Sequence, residues 1–322
     1  MTKVLVTGAN GFVGRETMRA LQAGGYSCVA AVRRQPIPPF PPGTELVEVG
    51  DIGPETDWTR AVQGVEFVMH VAGRAHVVRE HARDPLSDYR RINVIGTKRL
   101  AQAAIAASVR RFVFVSSVKV NGEVTGCQPF TGNDTPAPVD AYGISKWEAE
   151  QELRRLAAAS NMEIAIVRPV LVYGPGVRAN FLSLFHLVYK GLPLPFGMVD
   201  NRRSMVSLGN LASLLARCLW HPGAAGRTFM ASDGEDLSTP DWIRRIASAL
   251  HKSARLLPLP PQFIRLASIC AGKPGLANRL CGSLVVDSKP AREALEWEPP
   301  FSVDQELART ARWYLQTGVA KS

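Results

Sequence analysis

A tyrosine and a lysine stand four residues apart in the segment Tyr142-Gly143-Ile144-Ser145-Lys146. If this segment begins a helix, both side chains project from one face. A free phenol has a pKa of about 10, which is too high for ready proton exchange at neutral pH. A lysine ammonium beside it stabilises the phenolate and lowers that pKa. The spacing therefore predicts a general acid/base pair, and Ser117, after a predicted strand, is expected to polarise the same substrate oxygen.

A glycine-rich turn follows the first predicted strand. Glycines at this spacing permit a tight turn, close approach of the backbone to a diphosphate, and close packing of the next helix on the strand. The N-terminus of that helix would face the anion with its unpaired N–H groups. The turn predicts a dinucleotide site, and its expected cofactor contacts are Gly8, Asn10, Gly11, Phe12, Val13 and Gly14.

The end of the second predicted strand indicates which nicotinamide cofactor is bound. NAD sites place a carboxylate there to hold the ribose hydroxyls, whereas this chain has Arg33 and Arg34. An arginine gains a charge-assisted contact only with the extra phosphate of NADP. We therefore favour NADP(H) with Arg33 as its contact, and NAD(H) as the alternative if the two arginines merely begin a solvated loop. Asp51, after the third predicted strand, is either an adenine contact or an ordinary turn aspartate.

Strands and helices alternate through the first half of the chain, where they would position these residues. Such alternation predicts right-handed βαβ crossovers and a parallel sheet. The fold class is therefore α/β, a Rossmann-type doubly wound parallel sheet, with residues 35–43 as an exposed proline-rich loop. The predicted strands are 4–6, 28–32, 46–49, 67–71, 112–116 and 164–167, and the predicted helices are 14–23, 59–62, 91–107 and 144–159.

The pattern changes near Tyr173, where helical patches broken by proline-rich turns begin. The predicted domains are 1–173, which binds the dinucleotide, and 174–322, a smaller, mostly helical C-terminal lobe for substrate. Helices are expected at 181–190, 240–252 and 303–316, and a strand at 228–231 could return to the main sheet. A chain of 322 residues has the length for such a sheet and lobe.

Composition narrows the classes of partner. The formal charge of +10 arises from scattered arginine pairs without interleaved aromatic residues, so no nucleic-acid partner is expected. Five separated cysteines without a Cys-x-x-Cys spacing predict reduced thiols and no metal site. The most apolar stretch, 263–286, is interrupted by charges and proline, so no membrane span is expected. The first strand begins directly after Lys3, which predicts a cytoplasmic protein.

Over nearly its whole length the chain resembles the extended short-chain dehydrogenases/reductases of the NAD-dependent epimerase/dehydratase family. The motifs that carry the resemblance are Thr7-Gly8-x-x-Gly11-x-x-Gly14, His70-Val71-Ala72-Gly73, Asn93, Ser117, Tyr142-x-x-x-Lys146, Arg168-Pro169 and Val172-Tyr173-Gly174-Pro175. The resemblance implies that Tyr142 is the general acid/base, that Lys146 holds the nicotinamide ribose and tunes Tyr142, and that Ser117 orients a carbonyl. It further implies cofactor contacts from Ile52, Ala72, Gly73, Asn93 and Pro169, with Asn93 supporting the proton path.

The resemblance also implies a nucleoside-diphosphate sugar as substrate. Asn180 and Arg203 match residues that contact the diphosphate, and an arginine fork suits phosphate. An unremarkable surface role is the other interpretation for each. Family members commonly dimerise through the helix that holds Asn93 and the helix that follows Tyr142, which predicts a homodimer.

Departures from related patterns narrow the expected reaction. Sugar-nucleotide 4,6-dehydratases carry an Asp-Glu pair where this chain has Val118 and Lys119, so dehydration is not expected. Many 4-epimerases have a polar residue where this chain has Leu171. The segment 116–123 is similar to a surface-polysaccharide subgroup that reduces 4-keto UDP-sugars. The hypothesis is an NADPH-dependent 4-ketoreductase, yielding UDP-N-acetylfucosamine or UDP-N-acetylquinovosamine for O-antigen. The alternatives are a UDP-N-acetylhexosamine 4-epimerase with tightly bound NAD and a non-catalytic NADP-binding sensor.

Overall fold

A computed structural model describes residues 2–34, 40–74, 84–270, 272 and 280–317 of the chain. Ten strands lie in these ranges: β1 Lys3–Thr7, β2 Ser27–Val32, β3 Glu45–Glu48, β4 Phe67–His70, β5 Arg111–Val115, β6 Glu163–Pro169, β7 Leu171–Tyr173, β8 Arg203–Ser207, β9 Thr228–Ala231 and β10 Asp236–Leu237. Seven of them form one sheet in the order β3-β2-β1-β4-β5-β6-β9. Every neighbouring pair in this sheet is parallel, and the order changes direction at β1, as in Rossmann-type folds.

The helices are α1 Phe12–Ala23, α2 Pro85–Tyr89, α3 Thr97–Ala106, α4 Ala141–Ala158, α5 Ala179–Tyr189, α6 Leu208–Trp220, α7 Thr239–Ala249, α8 Pro261–Cys270, α9 Lys289–Leu295 and α10 Val303–Gln316. A π turn, Arg90–Gly96, joins α2 to α3, and it divides the helix predicted at 91–107. The helix predicted at 59–62 is wrong: those residues form turns, with one hydrogen bond from Val62 N to Trp58 O. A four-residue segment is too short to repay helix nucleation.

Both faces of the main sheet are covered, as a doubly wound fold requires. Val4 and Val6 of β1 pack with α1 and α6 on one face, and Leu5 packs with α3 and α4 on the other. This alternation explains why buried strands read as continuous apolar runs. The predicted exposed loop at 35–43 lies largely outside the described residues.

Besides the apolar clusters on the two faces of the main sheet, a third cluster forms the core of the C-terminal lobe. Its buried residues include Phe181, Phe185, Trp242 and Leu307. A small sheet in the order β10-β8-β7 lies in this region. Two later elements return to the main sheet, because β9 pairs with β6 and α6 packs on β5 and β6. The predicted return of 228–231 is therefore confirmed. The proposed division at residue 173 stays a prediction, since the two regions interleave along the chain.

Among the described residues, no helix is long and apolar enough to cross a bilayer. The same part of the chain contains no cluster of His, Cys, Asp and Glu suited to a metal ion. All five cysteines are free thiols.

Candidate active site

The candidate catalytic residues meet at the carboxyl edge of the main sheet. Ser117 follows β5, and Tyr142 and Lys146 lie in the first turns of α4. Asp140 caps this helix, because its Oδ1 accepts a hydrogen bond from Gly143 N at 2.7 Å. The cap fixes where α4 begins and so which face carries the tyrosine and the lysine. The structure thus places Ser117 beside Tyr142, and Lys146 lies one helical turn further along α4.

The phenol of Tyr142 is held in its protonated form. Burial among neighbouring groups raises the pKa of Tyr142 to about 12, while a hydrogen bond with the Ser117 side chain opposes that rise. The nearby charge of Asp140 raises the pKa further. This direction is opposite to the one expected from the tyrosine–lysine spacing, because burial outweighs the hydrogen bond with Ser117 that stabilises the phenolate. The phenol of Tyr142 is therefore protonated at neutral pH.

Lys146 is buried at the base of the site, with its Nζ 4.1 Å from the centre of the Phe114 ring. Burial lowers the pKa of Lys146 to about 7, and Glu150 on the next turn of α4 opposes that shift. A lysine at this pKa changes charge within the physiological range. Its contact with an aromatic face stabilises the charged form.

Asn93 connects the loop after β4 to α4. Its Nδ2 donates to Ser145 Oγ at 3.0 Å and to Arg74 O at 3.1 Å, and its Oδ1 accepts from Arg74 N at 2.8 Å. The π turn that holds Asn93 is a rare local geometry that is frequent at functional sites. These bonds place Ala72 and Gly73 beside the helix that carries Lys146, and they tie the predicted proton path to the predicted cofactor wall.

The glycine turn packs closely against the loop after β4 and the start of α1. Gly8 has a φ of +65°, and a Cβ there would lie 2.9 Å from Ala72 N. A Cβ on Gly14 would lie 2.0 Å from Gly8 O, so only glycine lets α1 start this close to the turn. Gly11 caps α1, Phe12 and Val13 form its first turn, and Asn10 is exposed beside it. The predicted turn residues therefore surround the N-terminus of α1, where a diphosphate is stabilised.

Replacing Gly14 with alanine is expected to weaken NADPH binding about tenfold or more and to lower the free energy of unfolding by about 1–3 kcal/mol, since the turn must shift to accept the methyl group. Titration calorimetry and urea unfolding measure the two effects. Gly126→Ala is the matched control, because a Cβ on Gly126 meets nothing within 4 Å. Equal NADPH affinities for the two variants would contradict the assignment of this turn.

The two residues expected at the adenosine end contact each other. Arg33 Nε lies 2.9 Å from Asp51 Oδ1, and the side chains are 71% and 69% exposed. An ion pair this exposed contributes little stability, so either partner can exchange it for another contact at small cost. Ile52 packs against the π turn, since a Cβ on Gly96 would lie 2.5 Å from its Cγ2. Sequence reasoning placed these residues at one edge of the sheet but missed the pairing.

A cavity of about 510 Å³ opens beside Ser117 and Tyr142. Pro169, predicted as a cofactor contact, lines it together with Asn180 and Arg203, the two predicted substrate contacts. Most of the remaining wall is apolar and comes from the loops after β5 and β6 and from the lobe. These apolar residues are Val118, Val170, Leu171, Phe181, Leu184, Leu187, Phe196, Met205, Trp242, Leu280 and Leu284.

Arg203 is a largely buried cation that lines this cavity. Its Nη1 donates to Gly282 O at 2.9 Å, and burial lowers the pKa of the guanidinium. Across the ranges that the structure describes, no carboxylate forms an ion pair with it. A buried arginine without an acid is costly unless an anionic ligand compensates it. Asn180, in the first turn of α5, presents a second polar group to the same cavity.

Lys119, at the cavity wall, forms ion pairs with Glu123 at 2.9 Å and with Asp140. The pair with Asp140 links the loop that carries Ser117 to the cap of α4. Sequence reasoning treated Lys119 only as the absence of an acid. No sequence signal marks this link, because its partner stands 21 residues away at the start of another element.

A buried polar network behind the site was also missed. Glu150 and Arg168 are 0% and 1% exposed and form two hydrogen bonds, of 2.6 and 2.9 Å. Ser116 Oγ donates to Glu150 Oε1 at 2.5 Å, and Arg168 Nη1 donates to Asn121 Oδ1 at 3.0 Å. The network joins α4, the end of β6 and the loop after β5. It therefore connects the three elements that carry the candidate catalytic residues and Pro169.

Comparisons with known proteins find similar chains that cover nearly the whole length of this one. Residues 4–230 match the model of the family described as "NAD dependent epimerase/dehydratase family". The chain is 44% identical to a UDP-glucose 4-epimerase of Vibrio cholerae over 97% of this chain and 95% of that protein. It is 27% identical to an N-acetyl-alpha-D-glucosaminyl-diphospho-ditrans,octacis-undecaprenol 4-epimerase of Escherichia coli O157:H7, over 96% and 94%. The crystal structure of a Bacillus cereus UDP-glucuronic acid 4-epimerase in complex with NAD is similar at a TM-score of 0.79 and 22% identity, over 98% of both chains.

Proposed function

The chain belongs to the NAD dependent epimerase/dehydratase family, and on that premise we propose that it reduces the C4 ketone of a UDP-linked 2-acetamido-2,6-dideoxy-4-hexulose with NADPH. The product is UDP-N-acetylfucosamine or UDP-N-acetylquinovosamine, a precursor of surface polysaccharide such as O-antigen. We propose that the reaction takes place in the cytoplasm and that the enzyme is a homodimer.

The observation that carries the proposal is the apolar part of the cavity wall, which lies in the same cavity as Tyr142, the proposed general acid. Val118 directly follows Ser117, and Val170 and Leu171 follow Pro169 at the end of the neighbouring strand; all three line the cavity. A sugar hydroxyl buried against such a wall loses its hydrogen bonds with water and gains none, which costs about 1–3 kcal/mol. A methyl group at C6 meets no such penalty. The wall therefore supports a 6-deoxy sugar, which is also the kind of sugar that a 4-ketone accompanies.

The residues that would hold NADPH are the glycine turn, Arg33, the loop at Ala72 and Gly73, Lys146 and Pro169. The chemistry that this cofactor supplies when bound is hydride transfer. Tyr142 would donate its proton to the oxygen at C4, since its pKa of about 12 keeps it protonated at neutral pH. Ser117, already hydrogen-bonded to the phenol, would orient the same oxygen. Lys146, with a pKa of about 7, would restore the proton.

Arg203 and Asn180 would hold the diphosphate of the substrate. Arg203 is the cation that the cavity leaves without an acid among the described residues, and a diphosphate supplies the missing charge. A contact far from the reacting carbon stabilises the ground state and the transition state equally. It should therefore change KM more than kcat.

Arg203→Gln is expected to raise KM for the UDP-sugar about 10- to 100-fold, with kcat within about threefold, because a hydrogen bond to a charged group contributes about 1.5–3 kcal/mol. Initial-rate kinetics give both constants, and titration with UDP alone reports the diphosphate contact without turnover. Arg202→Gln is the control, since Arg202 is adjacent and exposed. A fall in kcat at unchanged KM would place Arg203 outside the diphosphate site.

A 4-epimerase is the second candidate, favoured by the 44% identity to the UDP-glucose 4-epimerase of Vibrio cholerae. An epimerase returns its hydride and needs no net cofactor, whereas a reductase consumes one NADPH per product. The test incubates the protein with UDP-4-keto sugar plus NADPH or NADH, and separately with UDP-N-acetylglucosamine and UDP-glucose without added cofactor. Loss of NADPH absorbance with the keto sugar supports the reductase. Interconversion of C4 epimers without NADPH loss would overturn it in favour of the epimerase.

A further inference from the structure

Helix α8 turns an apolar face away from the protein. Ile264 and Ser268 are its buried residues, at 9% and 6% exposure. Phe263, Leu266 and Ile269, spaced three residues apart on the other side, are 51%, 59% and 61% exposed. A surface helix normally directs its apolar stripe toward the core. Here the outward side is the more apolar one, which marks it as a contact surface.

The segment before α8 extends this surface. Leu257 and Leu259 are 50% and 36% exposed, and α8 begins two residues later. Hydrogen bonds fix the segment to the lobe: Leu194 N donates to Arg255 O, and Leu257 N donates to Leu194 O, each at 2.8 Å. The backbone that carries the exposed leucines is thus fixed to the C-terminal lobe by hydrogen bonds. We name the residues Leu257, Leu259, Phe263, Leu266 and Ile269 the α8 face.

The charged residues nearest in sequence to the α8 face are all basic. The sequence from His251 to Val286 contains no Asp or Glu, and neither does the sequence from Gly174 to Val199, which carries the hydrogen-bonded Leu194. Lys252, Arg255 and Arg265 are exposed, and within the described ranges none of them forms an ion pair. An apolar face flanked by basic residues with no acidic neighbour in sequence attracts an anionic surface.

We propose that the α8 face docks on an anionic lipid bilayer, with α8 lying in the plane of the interface. Phe263, Leu266 and Ile269 enter the boundary between head groups and acyl chains, and the three basic residues contact the lipid phosphates. A second copy of this chain fits the face less well, since pairing it with itself would bring two basic surfaces together. Ile264 packs in the same cluster as Phe196 and Leu280, which line the cavity, so docking would hold the substrate lobe near the membrane.

The test is sedimentation of the purified full chain with vesicles of phosphatidylcholine that contain about 30 mol % phosphatidylglycerol, at about 0.1 M salt, with pure phosphatidylcholine vesicles in parallel. The wild type is expected to bind the anionic vesicles about tenfold or more tightly than the neutral ones. Leu266→Gln with Ile269→Gln keeps every charge and is expected to lose about tenfold or more of that binding.

Leu46→Gln with Leu315→Gln is the matched control, since Leu46 and Leu315 are 36% and 44% exposed elsewhere on the surface. The control should bind vesicles like the wild type, and both double variants should keep the wild-type melting temperature. Binding that survives the α8 change would be adsorption of a basic protein and would overturn the proposal. So would a wild type that stays in the supernatant, or sedimentation equilibrium showing that the α8 change only dissociates a dimer. The proposal does not depend on which reaction the cavity supports.

Discussion

Tyr142→Phe is expected to lower kcat for sugar reduction by about 10³-fold while NADPH affinity stays within about threefold, because only the proton donor is removed. The phenol lies at the cavity wall with a hydrogen bond to Ser117, whereas the glycine turn that would hold the cofactor is left intact. Steady-state kinetics and NADPH titration separate the two effects. The change in rate is large because water cannot readily replace a positioned donor in a mostly apolar cavity.

Tyr89→Phe is the matched control for this prediction. The Tyr89 ring lies 6.0 Å from that of Tyr142, centre to centre, and it is 3% exposed. Loss of its hydroxyl should leave kcat within about threefold, since it lies outside the cavity lining. If Tyr142→Phe keeps wild-type turnover, or if the two variants lose it equally, Tyr142 is not the general acid.

The raised pKa of Tyr142 also predicts different pH dependences for the two directions of the reaction. Reduction uses the protonated phenol, which predominates well below a pKa of about 12. Titration of Tyr142 should therefore leave the rate of reduction unchanged between about pH 6 and about pH 9. Oxidation of the alcohol uses the phenolate, so its kcat/KM should rise about tenfold per pH unit in the same range. Profiles in both directions, from stopped-flow absorbance, check the sign. A reductive rate that falls with Tyr142 titration near neutrality would contradict the assignment.

The largest effect on stability is expected at the buried pair behind the site. Glu150→Leu leaves the guanidinium of Arg168, 1% exposed, without its carboxylate. An uncompensated buried charge lowers the free energy of unfolding by about 3–5 kcal/mol. Arg168→Met should cost a similar amount, since it strands the carboxylate instead. Urea unfolding followed by circular dichroism measures both changes.

The double variant Glu150→Leu with Arg168→Met distinguishes a charge effect from simple loss of packing. Replacing both members of a buried pair with apolar residues of similar volume is often close to neutral, so the double variant should recover most of the loss. Recovery is expected to be incomplete because Ser116 and Asn121 each lose a partner. Strictly additive losses would show that the charges are not coupled.

The sheet could be predicted from the sequence because most of its strands are continuous apolar runs, which is a local pattern. The site could be predicted as well. Tyr142 and Lys146 have the spacing of one helical turn, and Ser117 follows a parallel strand, whose carboxyl end lies at the same edge of the sheet as those of its neighbours. The prediction of a helix at 59–62 was wrong because four residues with helical periodicity are too few to form a stable helix. The opposite shift of the Tyr142 pKa could not be predicted, because it depends on how deeply packing buries the phenol.

The features that could not be predicted from the sequence are contacts between segments that are far apart along the chain. The pairing of Arg33 with Asp51 requires the register of β2 against β3, and the pairing of Glu150 with Arg168 requires the packing of α4 on β6. The exposure of the α8 face could not be predicted either, because its sequence has the same apolar spacing as a helix that packs on the core. In each case the residue type is compatible with several partners, and only the fold selects one.

Transfer of deuterium from the cofactor tests the central claim most directly. The protein is incubated with UDP-2-acetamido-2,6-dideoxy-4-hexulose and NADPH that carries deuterium at both positions on C4 of the nicotinamide, and the sugar product is analysed by mass spectrometry and NMR. We predict one deuterium at C4 of the sugar for each NADP⁺ formed. A C4 alcohol without deuterium, or conversion of UDP-sugars with no NADP⁺ formed, would contradict the account.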